Sequence, residues 1–341
     1  MLYFRNDYSQ GACREVLDAL METNMIPTAG YGTDQFCAAA AETIRDLCEA
    51  PSAQVHFLVG GTQVNKTAIG AFLRPYEAVI AADTGHICVH ETGAVEQNGH
   101  KILTLPTPDG KLRPEQIRAT VERHCDEHMV LPRLVYISNT TEVGTVYRLA
   151  ELAALHDCCR ELGLLLYCDG ARLGSAMTVE GADTSFADYA RLCDAFTIGG
   201  TKNGLLFGEA LVLTNGALFP HFRHAMKQQG AILAKGRLLG VQFDAVLRGG
   251  AYLHLARHAN AMAERLRRGL LDLGYQMAVD SPSNQLFPIL TPAQEERLRE
   301  DCAYEIQSRD EWGVCVRFVT SWATTEEDVD GLLAFLQEVR V

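Results

Sequence analysis

The chain has 341 residues, of which 48% are hydrophobic and 21% charged, and its formal net charge is −13. This size allows one large core with a smaller second domain. The negative charge and the absence of a long Lys/Arg run exclude a protein that binds duplex nucleic acid through its phosphates. No apolar stretch is long enough for a membrane span, and the N-terminus shows no leader pattern. We therefore expect a cytoplasmic protein that acts on small molecules.

Short apolar runs alternate with helix-length patterns between about residues 35 and 245. Seven of these runs predict a mostly parallel, doubly wound sheet. They are QVHFLVG, EAVIAAD, KILTLPT, RLVYISN, LLLYCDGA, AFTIGG and EALVLTN. A long amphipathic helix, two further apolar runs (QLFPILTP and CVRFVTSW) and a closing helix then predict a smaller α+β unit. We predict a large domain over 13–245, and a small domain over 246–341 that includes residues 1–12.

The first junction of interest is FLVGGTQVNKTAIGAF, where a strand runs through Gly60, Gly61 and Thr62 into a helix. Backbone N–H groups at a helix N-terminus, together with a hydroxyl, bind an anion such as phosphate. The stretch also approaches a P-loop, but Asn65 stands where that motif requires glycine before Lys66. A nucleotide site and a turn without a ligand therefore stay open as alternatives.

The next segment, AADTGHICVHETGA, places His86 after a predicted strand end, with His90 and Glu91 following. A histidine at the mouth of the sheet can lie flat on a planar ring or be purely structural. The four-residue spacing would also suit a metal. That spacing recurs in His124/His128 and His254/His258. Because the three pairs share no Cys or acidic third ligand, and the eleven cysteines form no CxxC motif, we predict no metal site.

Asp169 ends the apolar run LLLYCDGARLG. A carboxylate there is costly unless it meets a cation or several hydrogen-bond donors. Arg172 is the structural candidate for that partner, and a protonated cofactor nitrogen is the functional one.

Lys202 lies in the glycine-rich turn TIGGTKNGLLFG, 33 residues after Asp169 and therefore one strand–helix–strand unit onward. Two neighbouring strand ends can thus bring a carboxylate and an amine to one ligand. Desolvation lowers the pKa of such a lysine, which favours imine formation with an aldehyde. A solvated loop lysine is the alternative for Lys202 taken alone.

Together these segments supply a phosphate cradle, an aromatic histidine, a carboxylate for a pyridine nitrogen and an amine for an aldehyde. Pyridoxal 5′-phosphate (PLP) requires these groups, and the carboxylate keeps its ring protonated as an electron sink. We therefore predict PLP as the cofactor and Lys202 as the lysine that forms the Schiff base.

With these residues in place, the chain resembles fold-type-I PLP enzymes, and among them the threonine aldolase/β-eliminating lyase family. The resemblance covers nearly the whole length. It rests, in order, on FRNDYSQGA, TAGYGTD, GGTQVNKTAI, DTGHICVHETGA, SNTTEVGTVY, DGARLGSA, TIGGTKNG and VRFVTSW. It implies the fold-type-I architecture, a seven-stranded large domain with a small α+β domain.

The resemblance also implies roles for individual residues. Lys202 would hold the cofactor, Asp169 its pyridine nitrogen and the Gly60–Thr62 turn its phosphate. His86 would stack on the ring, with Glu91 beside it.

The remaining implied roles concern the substrate and the partner subunit. Arg172, which also lies at the cofactor, and Arg317 would clamp the substrate carboxylate. Asn6 stands near that carboxylate, where the aldolases commonly carry Ser. Tyr31 and Lys227 match positions contributed across a subunit interface, and Tyr31 would also touch substrate. A homodimer or homotetramer is therefore expected.

The implied activity is retro-aldol cleavage of a β-hydroxy-α-amino acid, such as L-threonine or L-allo-threonine, to glycine and an aldehyde. Three departures concern side-chain specificity: Thr201-Lys202-Asn203 replaces the usual Ser-Lys-Gly, GACR replaces GAHP, and SNTTEVGTVY lacks a histidine. The alternatives are β-elimination or transamination of another amino acid, and a non-catalytic PLP-fold or nucleotide-binding protein.

Overall fold

The computed structural model describes residues 1–311 and 313–340. The strands lie in a large sheet, a smaller sheet and a short two-stranded ladder. They are β1 (Leu2–Tyr3), β2 (Gln54–Leu58), β3 (Glu77–Ala82), β4 (Ile102–Leu105), β5 (Leu131–Ser138), β6 (Leu165–Asp169), β7 (Ala195–Gly199), β8 (Glu209–Leu213), β9 (Gln276–Met277), β10 (Gln285–Leu286), β11 (Pro288–Leu290), β12 (Cys302–Ala303), β13 (Glu305–Asp310) and β14 (Gly313–Val319).

Helices connect most of the strands of the large sheet and pack beside both sheets. They are α1 (Arg14–Thr23), α2 (Gln35–Leu47), α3 (Gly61–Phe72), α4 (His86–Val89), α5 (Ala94–Gln97), α6 (Pro114–Arg123), α7 (Leu149–Leu162), α8 (Leu173–Ala176), α9 (Phe186–Leu192), α10 (Phe222–Gln228), α11 (Arg237–Leu247), α12 (Ala251–Asp272), α13 (Pro292–Asp301) and α14 (Glu326–Glu338). Of the helices in the described ranges, none is both long and apolar enough to cross a membrane.

The large sheet is built from the seven predicted runs, in the order β2-β8-β7-β6-β5-β3-β4. All neighbours are parallel except β8, which runs antiparallel to both β2 and β7. The prediction of a mostly parallel seven-stranded sheet is confirmed. Reversal of β8 brings its first residue, rather than its last, to the edge where β2 and β7 end.

Alternate residues of the central strands enter two cores, one on each face of the sheet. Ile80 and Val135 pack in the first core, whereas their neighbours Val79 and Leu134 pack in the second. Because both faces are covered by helices, the strands read as continuous apolar runs rather than as alternating ones. These continuous apolar runs are the pattern from which the strands were predicted.

The smaller sheet is antiparallel, in the order β10-β14-β11-β9, with β13 added to β14. Its core also takes Phe4 from the N-terminal segment and Leu266 from α12. The same helix contributes Tyr252 to a core of the large sheet, so it links the two units. The domain division at residue 245 stays a prediction, and α11 runs across that position.

Sequence reading did not identify β13. Its residues EIQSRD are mostly charged or polar and exposed, with Ile306 alone among them large and apolar. A strand of this kind is held by its ladder with β14 rather than by burial. Nearby helices carry clearer signals in the sequence. Thr291 caps α13 through a capping box with Gln294, and Thr325 caps α14 through a capping box with Asp328.

Candidate active site

One cavity of about 530 Å³ lies at the edge where the parallel strands of the large sheet end. The small sheet closes one side of it through residues of β10 and β14. The structure brings most of the sequence-predicted site residues to its wall: Gly60, Gly61, Thr62, His86, Asp169, Arg172, Lys202 and Arg317. The cavity is therefore the candidate active site.

Lys202 sits in a braced turn between β7 and β8. The N–H groups of Gly200 and Thr201 both donate to the Gly208 carbonyl (2.9 and 3.1 Å), and Asn203 Nδ2 donates to the Tyr252 carbonyl at 2.7 Å. Burial, and next the nearby Arg172 charge, lower the pKa of the lysine below its ordinary value, although surrounding carboxylates oppose the shift. A larger fraction of neutral, nucleophilic amine follows.

Asp169 ends β6 and is 5% exposed. Its Oδ2 accepts hydrogen bonds from Tyr136 Oη (2.7 Å) and Asn65 Nδ2 (2.8 Å), and its Oδ1 accepts one from the Ala171 N–H (3.0 Å). Of the two alternatives for Asp169, a cation or several hydrogen-bond donors, the structure therefore shows the second. Arg172 does not pair with Asp169, although it follows three residues later.

Asn65 extends this network to the histidine of the cavity. Its Nδ2 also donates to Glu91 Oε1 at 2.8 Å, and its Oδ1 accepts from Tyr167 Oη at 2.7 Å. Glu91 Oε1 in turn lies 2.8 Å from His86 Nδ1. Glu91 is buried and does not line the cavity, and through Oε1 it orients the imidazole ring of His86.

The glycine turn after β2 forms an open candidate anion site. Gly60 is the N-cap of α3, a helix of 12 residues, and Gly61 begins it. A Cβ added at either glycine would meet no atom within 4 Å. Free first-turn N–H groups and the positive helix end therefore face open space beside Thr62, as a phosphate requires.

Arg172 has a partner that the sequence did not indicate. Its Nε and Nη2 donate to the two oxygens of Asp7 at 2.8 and 3.0 Å, and Asn284 Nδ2 also donates to Asp7 at 2.9 Å. Burial raises the pKa of Asp7, but the charges of Arg172 and Lys202 outweigh it and hold that pKa below the usual value. The N-terminal segment is thereby tied to the cavity.

Arg317 differs from Arg172. It projects from β14 into the cavity, and its Nε is buried without a hydrogen-bond partner among the described residues. Burial, and then repulsion from Arg172, lower its pKa. An anion placed between the two guanidinium groups would relieve this repulsion.

Two acidic residues of the cavity were missed by the sequence reading. Glu142 Oε1 accepts from Ser138 Oγ (2.6 Å) and from the His86 N–H (2.9 Å), and burial raises the pKa of this carboxyl. Glu209 begins β8 and is 4% exposed. A charged residue that opens the otherwise apolar run EALVLTN was the available signal for Glu209.

Four of the predicted site residues lie outside the cavity wall: Glu91, described above, and Asn6, Tyr31 and Lys227. Asn6 Oδ1 accepts from the Tyr8 N–H and from Ser9 Oγ, and it is Tyr8 that lines the cavity. Tyr31 and Lys227 contact each other instead, with the ammonium 5.2 Å from the ring centroid. Tyr31 is exposed at the mouth of a separate cavity of about 220 Å³.

In each of the other two pairs, one histidine contacts a backbone carbonyl. His124 Nδ1 lies 2.7 Å from the Thr120 carbonyl and His258 Nε2 lies 2.7 Å from the Thr324 carbonyl. Within residues 1–311 and 313–340, no group of three or more His, Cys, Asp or Glu side chains is arranged to hold a metal ion.

Comparison with known proteins agrees with this geometry. The sequence pattern of the β-eliminating lyase family matches residues 4–290. Low specificity L-threonine aldolases from a Pseudomonas species (strain NCIMB 10558) and from Pseudomonas aeruginosa are each 35% identical, covering 98% and 99% of this chain and 97% of their own lengths.

Solved structures give the same result. A Leishmania major threonine aldolase superposes with a TM-score of 0.98 at 47% identity over the whole of both chains. A Thermus thermophilus aspartate aminotransferase, at 16% identity and a TM-score of 0.73 over 99% of this chain and 91% of its own, shares the fold alone. The predicted fold, family and cofactor are thereby confirmed: the chain belongs to the β-eliminating lyase family and is a PLP-dependent lyase of fold type I.

Proposed function

We propose that this protein cleaves the Cα–Cβ bond of a β-hydroxy-α-amino acid, such as L-threonine or L-allo-threonine, to give glycine and an aldehyde. The observation that carries the proposal is a single cavity in which an amine, a buried carboxylate and an arginine whose Nε has no partner among residues 1–311 and 313–340 meet. Full-length similarity to proteins named threonine aldolases supports this reaction over β-elimination or transamination.

The residues of the cavity fit the cofactor. The open turn at Gly60 and Gly61 would hold its phosphate, Lys202 Nζ its aldehyde carbon and Asp169 its pyridine nitrogen. When bound, PLP supplies a protonated ring that accepts the electrons released when the Cα–Cβ bond breaks.

Asp169 would keep the pyridine nitrogen protonated. A carboxylate already held by Tyr136, Asn65 and the Ala171 N–H has a fixed position and needs no reorganisation when the ligand arrives. His86, oriented by Glu91, would cover one face of the ring.

The two arginines would bind the substrate carboxylate. Arg172 is already oriented by Asp7, and Arg317 has a buried Nε without a partner in the described part of the chain. A carboxylate placed between them gains charge-assisted hydrogen bonds and fixes the Cα of the substrate.

Glu142 would take the proton of the β-hydroxyl group. Its Oε1 is occupied by Ser138 and the His86 N–H, so Oε2 is the oxygen available to a ligand in the cavity. Burial raises the pKa of this carboxyl, which makes it a stronger base than an exposed glutamate. It lies in the segment SNTTEVGTVY, which lacks a histidine.

A product screen tests this function. The holoenzyme is incubated with L-threonine, L-allo-threonine, L-serine and L-cysteine, and glycine, ammonia and keto acid are quantified. We expect glycine and aldehyde in equal amounts from the first two substrates, reduced about 100-fold in Glu142→Gln. Ammonia with keto acid would instead indicate β-elimination, and keto acid without ammonia would indicate transamination.

We further infer a homodimer or homotetramer in the cytoplasm. Met21, Met25 and Tyr31 are large apolar residues exposed in the N-terminal region, as at a surface covered by a second subunit. The eleven cysteines are all free, which is typical of a reducing compartment. Light scattering that gave a fully active monomer would contradict the oligomer.

A further inference from the structure

Glu209 lies between two parts of the cavity that have different tasks. In the antiparallel ladders of β8 it is opposite Leu58 of β2 on one side and Gly199 of β7 on the other. From Leu58 the chain continues into the Gly60–Thr62 turn, and from Gly199 it continues to Lys202. Glu209 therefore begins β8 at the edge where the Gly60–Thr62 turn and the Lys202 turn both leave the sheet, and all three line the same cavity.

The carboxyl group of Glu209 is buried and incompletely bonded. The residue is 4% exposed, it lines the cavity, and its Oε2 has no hydrogen-bond partner among the described residues. A buried polar atom without a partner is costly, so a ligand that bonds to it gains stability.

The surroundings of Glu209 determine its protonation. Burial raises its pKa to about 8, and the Asp169 charge acts in the same direction. A hydrogen bond with Thr201 and the charge of Lys202 act in the opposite direction. The phenols of Tyr167 and Tyr252 also face it from β6 and α12. The raised pKa favours the neutral acid, which can donate a hydrogen bond.

We propose that Glu209 binds the phosphate of the cofactor as a neutral carboxylic acid, donating its O–H to a phosphate oxygen. A phosphate ester is a dianion above about pH 7. It would repel an ionised carboxylate beside the anion site, whereas a neutral acid gives it a short, charge-assisted hydrogen bond. The inference rests on the cofactor assignment and not on which amino acid is cleaved.

A pH dependence with a definite sign follows. As the pH rises through about 8, Glu209 ionises, its donor is lost and repulsion begins. The affinity for PLP should then fall by up to about tenfold per pH unit, since one proton is linked to binding. Pyridoxal, which lacks the phosphate, should not show this component.

The experiment measures dissociation constants of PLP and pyridoxal for the cofactor-depleted protein, by fluorescence quenching between about pH 7 and pH 9.5. A change in the protonation of Lys202 alters the affinities for PLP and pyridoxal alike. Its effect therefore cancels in the ratio of the two dissociation constants. In the wild type we expect the preference for PLP to fall at least about tenfold across this range. In Glu209→Gln it should stay constant, because an amide donates without titrating. Thr62→Val should lower the preference overall but keep the wild-type slope.

A wild-type preference that does not change with pH would overturn the proposal, even if Glu209→Gln failed to fold. So would an unchanged slope in a folded Glu209→Gln protein, since another group would then be titrating. Because both readouts are cofactor affinities, they stand or fall separately from the amino-acid product screen.

Discussion

The Asp169 network of the large sheet and the small-domain side of the cavity differ in how fully their polar groups are bonded. On the side of the large sheet, both oxygens of Asp169 accept hydrogen bonds, and Asn65 connects it to Glu91. On the side of the small domain, Arg317 Nε and Gln285 Oε1 are buried without partners among the described residues. The Asp169 network is therefore organised before any ligand binds, whereas Arg317 and Gln285 of the small-domain side, like Glu209 of β8, would be completed by one.

This difference separates two kinds of ligand. A cofactor that stays bound through many turnovers benefits from a preorganised site, because no reorganisation is needed at each cycle. A substrate that must enter and leave can instead supply the missing hydrogen bonds while it is bound. We therefore expect changes on the two sides to affect different steps.

The largest effect is expected for Lys202→Ala, at the junction of the two sides. Loss of the amine should lower kcat by about 10⁴-fold or more, because covalent attachment and proton transfer are both lost. Borohydride treatment followed by mass spectrometry should find no cofactor bound at this position, with an unchanged melting curve. Normal labelling of the variant would remove Lys202 from the mechanism.

Asp169→Asn should break the large-sheet side. An amide cannot balance the charge of a protonated ring nitrogen, so kcat should fall about 10²- to 10³-fold while the cofactor is still retained. Steady-state kinetics with a measured cofactor content checks this. An unchanged kcat would mean that the role of Asp169 is only structural, through its hydrogen bonds with Tyr136 and Asn65.

Arg317→Gln tests the small-domain side. Losing one charged carboxylate contact should cost about 1.5–3 kcal/mol, or roughly tenfold to a hundredfold in kcat/KM, with cofactor affinity and melting temperature nearly intact. Arg317→Lys is the matched control, since it keeps the charge but loses the planar fork. Normal amino-acid affinity in the glutamine variant would contradict the carboxylate role.

Asp7→Asn should have the smallest effect on catalysis. It tests whether Asp7 accounts for the difference between Arg172 and Arg317. It leaves Arg172 without its anionic partner, so Arg172 comes to resemble Arg317. Removing one member of a buried ion pair costs about 3–5 kcal/mol of stability, so we expect a melting temperature several degrees lower and only a few-fold rise in KM. A loss of kcat as large as that of Asp169→Asn would instead place Asp7 in the chemistry.

The sequence predicted features that local patterns carry. Continuous apolar runs gave all seven strands of the large sheet, and a carboxylate at the end of β6 indicated that Asp169 needs bonding partners. The identity of those partners depends on packing between distant segments: Asn65 is 104 residues from Asp169, and Asp7 is 165 residues from Arg172. Sequence proximity suggested an Asp169–Arg172 pair, which the fold does not form.

Because β8 runs in the reverse direction, residues 199–209 form one continuous segment that related proteins could exchange as a unit. In a parallel sheet, successive strands reach the ligand edge only after an intervening helix, so their residues vary independently. Here a single turn of the chain carries Lys202 and Glu209 to the same edge, braced by bonds from Gly200 and Thr201 to Gly208. Recombination between relatives that swaps this segment would transfer the covalent anchor and its acidic neighbour together, whereas an insertion within 203–208 would disturb the bonds to Gly208 that hold the Lys202 turn.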